Sequence, residues 1–327
     1  MPNVTNILVT FLSGLDMTDS QKKILEQAAP GAQFTYCFQD DVTLEMVAGA
    51  QIWIGNPSLR HLAQAQALRF VQLITAGADY YFSKPGIAPA HIPFACSSGA
   101  FGLSISEYMT GGLLMLMRRM HIYRDQQRDQ IWYRNGKAHT IYGSIILVVG
   151  MGDLGGEFAR RVKGLGAYVI GIRRTESICP DYIDEQHLIG SIGALLPRSD
   201  VVALCLPATA QTAGLMNAER LSLMKHGSYL INVGRGSAVD GYALCNELQS
   251  GRIAGALIDV TDPEPLPPDH PLWCEQNALI TPHVSGNYDV PFTVDRVVEI
   301  AAENLRRYIS DRPLINSIDP ETGYRSV

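Results

Sequence analysis

No two of the six cysteines (37, 96, 179, 205, 245 and 274) form a C-x-x-C pair, so a thiolate metal site has no ligand spacing to build on. A chain this large without a secretory pattern has little use for disulfides, which predicts reduced, mostly buried thiols. Positive charge is scarce too: 26 lysines and arginines against 32 acidic residues leave a net charge of −6. Nucleic acid and anionic membrane surfaces require clustered positive charge, and this balance argues against both as partners. The longest apolar run, around 141–151, is too short to span a bilayer and ends in glycines. The opening MPNVTNILVTFLSG lacks the basic segment, long apolar run and small-residue cleavage site of a leader. It reads as a first strand, and the expected compartment is the cytoplasm.

What the chain does contain is apolar periodicity of two kinds. Its 327 residues, 46 % hydrophobic and 18 % charged, are those of a globular protein too long for one ordinary core. Through the first hundred residues, strand-like runs (NILVTFL, AQFTYCF, AQIWIGN, FVQLIT) alternate with helical stretches at 18–30, 43–50 and 58–67. Thr18 and Gln21 form a T-x-x-Q capping signal. A second capping box, Ser104 to Glu107, predicts the start of a long helix, SEYMTGGLLMLMRRM, with a polar loop after it at 124–140. SIILVVG then opens a second series: YVIGI, VVALCLP, SYLINVG, GALIDV and NALITP. A helix at 291–309 and the segment DRPLINSID end the chain.

Such alternation predicts two α/β domains, each a doubly wound parallel sheet of Rossmann type. The expected division is an outer domain of 1–100 and 287–327, with a second domain of 101–286 inserted into it.

SIILVVG runs directly into GMGDLG, residues 150–155, and then into a helical pattern. A bare G-x-G-x-x-G is weak, but a strand before it and a helix after it are the context the motif requires. Gly150 permits the tight turn, Gly152 lets the backbone approach a pyrophosphate, and Gly155 lets helix and strand pack closely. The helix N-terminus, with Asp153 and Leu154 in its first turn, offers N–H groups to the phosphates.

Three later motifs carry reactive groups. NVGRGSAVD (232–240) sets Arg235 among glycines at the end of a strand, where a guanidinium fork suits a carboxylate; alone, it reads equally as a surface arginine at a strand end. DVTDPEPLPPDHPLW (259–273) flanks Glu264 with prolines that restrict where its carboxylate points. TPHVSG (281–286) carries His283. A lone histidine is more often structural than catalytic, but an imidazole titrates near neutrality and Glu264 would orient it.

Taken together, in this order and spacing, the four motifs resemble the D-isomer-specific 2-hydroxyacid dehydrogenase family over essentially the whole chain. The resemblance implies a catalytic set of Arg235, Glu264 and His283. It also implies that Asp259 and backbone near Val233 hold a nicotinamide, with Pro207 and Thr212 among the cofactor contacts. The loop TAGAD (75–79) matches the family's substrate loop, whose N–H groups, here those of Ala76 and Gly77, bind the substrate carboxylate. Formate dehydrogenases of the same broad fold carry glutamine where Glu264 stands. The implied reaction is hydride transfer between a nicotinamide cofactor and a small 2-keto or 2-hydroxy acid of the glyoxylate/hydroxypyruvate type. The rival is a non-catalytic NAD(P)-sensing regulator built on the same fold. Trp53, Asn56, Tyr80 and Tyr81 are candidates to limit the size of the cleft. The family implies a homodimer, for which the 124–140 arm with Trp132 is a candidate contact, or else a loose surface loop.

The preference for NADP(H) over NAD(H) comes from the end of YVIGI. An NAD-specific enzyme places an acidic residue there for the ribose 2′-hydroxyl. This chain has Arg173, Arg174 and Thr175, two guanidiniums and a hydroxyl suited to a 2′-phosphate. The alternative is that both arginines face solvent, paired with Glu176 and Glu185, and the cofactor is NAD.

Overall fold

The structure, a computed structural model, describes residues 5–12, 15–82, 89, 91–320 and 323–325. Residues 1–4 and 13–14 of the opening segment, read above for a leader, lie outside them. The chain divides into two compact units: Met1–Phe101 with Tyr288–Val327, and Gly102–Asn287.

In the first unit, β1 (Asn6–Phe11), α1 (Asp19–Ala28), β2 (Gln33–Phe38), α2 (Leu44–Gly49), β3 (Ile52–Ile54), α3 (Leu59–Leu62), β4 (Phe70–Gln72), α4 (Asp79–Phe82) and β5 (Phe94–Ala95) alternate along the chain. The strands form one parallel sheet in the order β2-β1-β3-β4-β5. Helix α1 starts where its capping box predicts, with the Thr18 N–H donating to Gln21 Oε1 at 2.9 Å and the Gln21 N–H to Thr18 Oγ1 at 3.3 Å. The helical stretch at 58–67 shrinks to the single turn of α3.

Two residues expected at a cleft are core instead. Trp53 is fully buried in β3, its indole N–H donating to Thr10 Oγ1 at 2.9 Å. Tyr81 is buried with its hydroxyl donating to the Pro57 carbonyl at 2.9 Å. A strand inside a parallel sheet is covered on both faces, so a large ring on β3 has nowhere to go but the interior. Tyr80 is exposed, and Asn56 is half-buried.

The second unit begins with α5 (Gly102–Met117) and α6 (Met120–Arg128). Ser104 and Glu107 therefore lie inside α5 and not at its start; the Gly102 N–H there donates to Asp153 Oδ2 at 2.8 Å, a cap supplied from 51 residues away. The long helix read from the sequence breaks at Arg119, whose φ of 57° ends one helix before the next begins. Most of the predicted polar loop's start is thus helix α6. Of the methionines 109, 115, 117 and 120, only Met109 and Met117 reach the core.

Then follow β6 (Ile145–Val149), α7 (Asp153–Gly164), β7 (Tyr168–Arg173), β8 (Glu185–Leu188), α8 (Ile192–Leu195), β9 (Val201–Leu204), α9 (Ala218–Ser222), β10 (Ser228–Asn232), α10 (Gly241–Gln249), β11 (Ile253–Ile258) and β12 (Ala278–Ile280). All seven strands are parallel, in the order β12-β11-β10-β9-β6-β7-β8. Chain order reverses between β6 and β9, and such a switch point opens a crevice at the carboxyl ends of the strands.

The chain returns to the first unit through α11 (Pro291–Ile309) and a short antiparallel pair, β13 (Ile318–Asp319) and β14 (Tyr324–Arg325). Asn304 of α11 is fully buried; its amide donates to Gln72 Oε1 at 2.7 Å and to the Ile315 carbonyl at 2.9 Å, and its Oδ1 accepts from the Ile315 N–H at 2.8 Å.

Candidate active site

The glycine turn sits at the carboxyl end of β6, beside the switch point. Gly150 has φ of 100°, a conformation open to glycine, and a Cβ there would come 2.5 Å from the Cys205 carbonyl oxygen. A Cβ on Gly155 would overlap the Gly150 carbonyl oxygen, so helix and turn meet only because Gly155 has no side chain. Gly152 differs: no protein atom lies within 4 Å of a Cβ built on it. The backbone there faces open space in front of α7, whose N-cap is Gly152 and has no side-chain cap. An extended ligand with a pyrophosphate fits this cradle of backbone and helix dipole. The Asp153 carboxylate accepts from the Gly102 N–H.

Around the turn, Leu154 is half-buried, while Pro207 and Thr212 belong to one closed loop. There the Thr212 hydroxyl donates to the Pro207 carbonyl at 2.5 Å and accepts from the Thr209 N–H at 2.9 Å. Val233 is buried, its N–H donating to the Leu204 carbonyl at 3.3 Å.

At the end of β7, Arg173 is half-buried with an Nε that has no hydrogen-bond partner, and Arg174 and Thr175 are exposed. Of the two acidic residues expected as partners, Glu176 makes no ion pair with either arginine among the described residues, and Glu185 is engaged elsewhere. Glu185 takes two hydrogen bonds from Arg198, at 2.5 and 3.1 Å, and one from His187 at 2.9 Å. Those donors, Arg198 foremost, hold its carboxyl down at about 2. Asp184 is paired with Lys163. Sequence reasoning missed β8, the strand that carries Glu185; EQHL has neither apolar alternation nor a continuous apolar run.

The three reactive motifs follow β10, β11 and β12, which are neighbours in the sheet, so their loops emerge side by side at its carboxyl edge. Arg235 is half-buried, with Nη1 donating to the Gly234 carbonyl at 2.8 Å, and Asn232 braces its backbone through a 3.0 Å bond to the Arg235 carbonyl. Glu264 is held from two sides: Oε1 accepts from the Thr261 N–H at 3.1 Å and Oε2 lies 3.1 Å from His283 Nδ1. The peptide bonds joining Asp262 to Pro263 and Glu264 to Pro265 are both cis. A carboxylate only accepts, so the His283 proton in this bond is on Nδ1, and Nε2 is left for another partner. The His283 side chain is 50 % exposed, so that nitrogen is reachable. Asp259, by contrast, is buried; its carboxylate accepts from the N–H groups of Val284 and Ser285 at 2.9 and 3.0 Å and from the Thr281 hydroxyl at 2.6 Å. It is the anchor of the histidine loop.

In the first unit, Ala76 is exposed and Gly77 half-buried, in a loop closed by the Thr75 hydroxyl donating to the Gly77 carbonyl at 2.9 Å. The N–H groups of both find no acceptor among the described residues.

Residues 110–285 match the family model described as D-isomer specific 2-hydroxyacid dehydrogenase, NAD binding domain, which is more than half of the chain. The chain belongs to the D-isomer-specific 2-hydroxyacid dehydrogenase family. It is 30 % identical to glyoxylate/hydroxypyruvate reductase A of Photorhabdus laumondii, over 84 % of this chain and 87 % of that protein. A family member from Aeromonas salmonicida has a similar structure, with a TM-score of 0.83 at 29 % identity, covering 97 % of this chain and 99 % of that one. A D-isomer specific 2-hydroxyacid dehydrogenase of Xanthobacter autotrophicus, solved with NADPH and MES, gives a TM-score of 0.81 at 28 % identity, covering 98 % and 100 %. This 2-hydroxyacid dehydrogenase is thus an oxidoreductase that uses a nicotinamide cofactor. Among the described residues, none of its helices is long and apolar enough to cross a membrane.

Proposed function

We propose that the protein is a D-specific 2-keto acid reductase of the glyoxylate/hydroxypyruvate type that draws on NADPH. The observation that carries this reading is the His283–Glu264 pair, opening from the strand edge that also bears Arg235. A bound nicotinamide supplies the hydride that reduces the ketone carbon. Arg235 binds the substrate carboxylate and polarises the carbonyl, and the N–H groups of Ala76 and Gly77 in the 75–79 loop are donors suited to a carboxylate. His283 Nε2 donates a proton to the developing alkoxide while Nδ1–H stays on Glu264, which stabilises the imidazolium beforehand and orients the ring. Asp259 and the backbone at Val233 flank the nicotinamide pocket, and the turn at 150–155 with Pro207 and Thr212 borders the rest of the cofactor.

The NADP(H) preference rests on Arg173, Arg174 and Thr175, which no acidic side chain of the described residues occupies. The Xanthobacter relative's bound NADPH agrees with it, as does the reductase name of the Photorhabdus relative with the substrate class. Free thiols at all six cysteines suit a reducing, cytoplasmic compartment. Trp132 is fully exposed, with Ile131, Tyr133, Tyr142 and Met120 also exposed nearby in the chain, an apolar surface that suits a homodimer contact. The deciding experiment is NADPH oxidation with glyoxylate, hydroxypyruvate, pyruvate and larger 2-keto acids. Fastest turnover with the two small acids is expected; turnover confined to larger acids overturns the substrate class.

A further inference from the structure

Tyr108 lies on α5, and its phenol oxygen is 2.5 Å from the Thr281 hydroxyl, 173 residues away in the chain. The direction of this bond follows from the next one. Thr281 has a single hydroxyl proton, and it donates that proton to the Asp259 carboxylate at 2.6 Å. Tyr108 is therefore the donor and Thr281 the acceptor. Burial pushes the phenol up to about 12, which keeps its proton in place across the working range of pH.

Beyond Asp259 the chain of bonds reaches the histidine. The same carboxylate holds the N–H groups of Val284 and Ser285, and the Asp259 carbonyl accepts from the His283 N–H at 2.9 Å. These bonds surround a residue whose φ is 53°, the left-handed region that a side chain disfavours. The helix that presents Tyr108 is itself fixed: Asp153 caps it at Gly102, and a Cβ on Gly112 would come 2.5 Å from Leu257 of β11.

We propose that Tyr108 is a positioning residue for His283. Through Thr281 and Asp259 it holds the 281–285 loop in the backbone conformation that keeps the imidazole on Glu264. The inference rests on His283 being the proton donor, and the experiment separates the two. Tyr108→Phe and Thr281→Val are each expected to lower kcat about tenfold, the size of one lost buried hydrogen bond. KM for NADPH should stay within about twofold, because the phosphate turn is untouched. The double variant should be no slower than the worse single one, since both cut the same chain, and Thr281→Ser should recover most of the Thr281→Val loss. Independently of turnover, the amides of Val284 and Ser285 should exchange hydrogen at least about fivefold faster in Tyr108→Phe without cofactor. His283→Ala is the control: if it stays active, the proton-donor reading falls. If it is dead while Tyr108→Phe matches wild type in kcat per folded molecule and in amide exchange, the positioning inference alone is overturned. A Tyr108→Phe protein that loses activity only through loss of folded material counts the same way.

Discussion

His283 Nδ1 lies 3.1 Å from Glu264 Oε2, and the carboxylate's other oxygen is tied to the Thr261 N–H at 3.1 Å. The pair is thus one unit with a fixed orientation. Replacing His283 with asparagine removes the proton donor without disturbing the phosphate turn. Turnover should fall roughly a hundred- to ten-thousandfold, while the cofactor Kd, read by fluorescence titration, stays close to wild type. Turnover near the wild-type rate would remove His283 from the mechanism.

Arg173 and Arg174 give a prediction on cofactor choice. Each charge-assisted contact to a 2′-phosphate is worth about 1.5–3 kcal/mol. The ratio of kcat/KM for NADPH over NADH should drop at least about tenfold in Arg173→Ala/Arg174→Ala. A wild type that prefers NADH, or a ratio the double variant leaves alone, refutes the assignment.

The glycine turn allows stability and binding to be separated. A Cβ on Gly155 collides with the Gly150 carbonyl, whereas one on Gly152 meets no protein atom. Gly155→Ala should therefore lose about 1–3 kcal/mol in denaturant unfolding, the range for overpacking. Gly152→Ala should unfold like wild type yet bind the nicotinamide cofactor much more weakly, as isothermal calorimetry would record. Equal behaviour of the two variants in both measurements would contradict the geometry.

Glu185 predicts an acid dependence of stability. Its folded carboxyl is drawn from 4.5 to about 2 by Arg198 and His187, so it binds fewer protons in the folded state than in the unfolded one. A lowered carboxyl contributes stability that is fully present above the unfolded value and lost as pH falls through the folded one. Arg198→Ala removes most of that contribution. The gap in thermal midpoint between wild type and Arg198→Ala should narrow as pH is taken from about 6 down to about 3; a constant gap would show that the pair does not act through the carboxyl.

Much of this was legible because the inner strands are continuous apolar runs. IILVV, VVAL and SYLIN announce a sheet covered on both faces, and the glycine spacing follows the first of them. Features whose cause lies far along the chain were not legible. Helix α5 starts at Gly102 because Asp153 caps it, and nothing in SISE reveals that. The α6 sequence, MHIYRDQQR, buries only His121 and Ile122, so its pattern resembles a loop. Trp53 and Tyr81 read as cleft residues because an aromatic's place in the sequence does not tell whether its side chain points into the core. The catalytic candidates were readable as motifs, but the Tyr108–Thr281 bond spans 173 residues and leaves no local pattern.

Asn304 and its partners fasten the last segment of the chain to β4 of the first unit, and β4 belongs to its opening hundred residues. During synthesis the strands β1 to β5 therefore leave the ribosome long before α11, whose Asn304 is bonded to β4, with all of Gly102–Asn287 made in between. The second unit has every one of its strands at hand by residue 280 and needs nothing that comes later for its sheet. The unit translated first is the one completed last, and its waiting apolar strands are the surface a nascent-chain chaperone would meet.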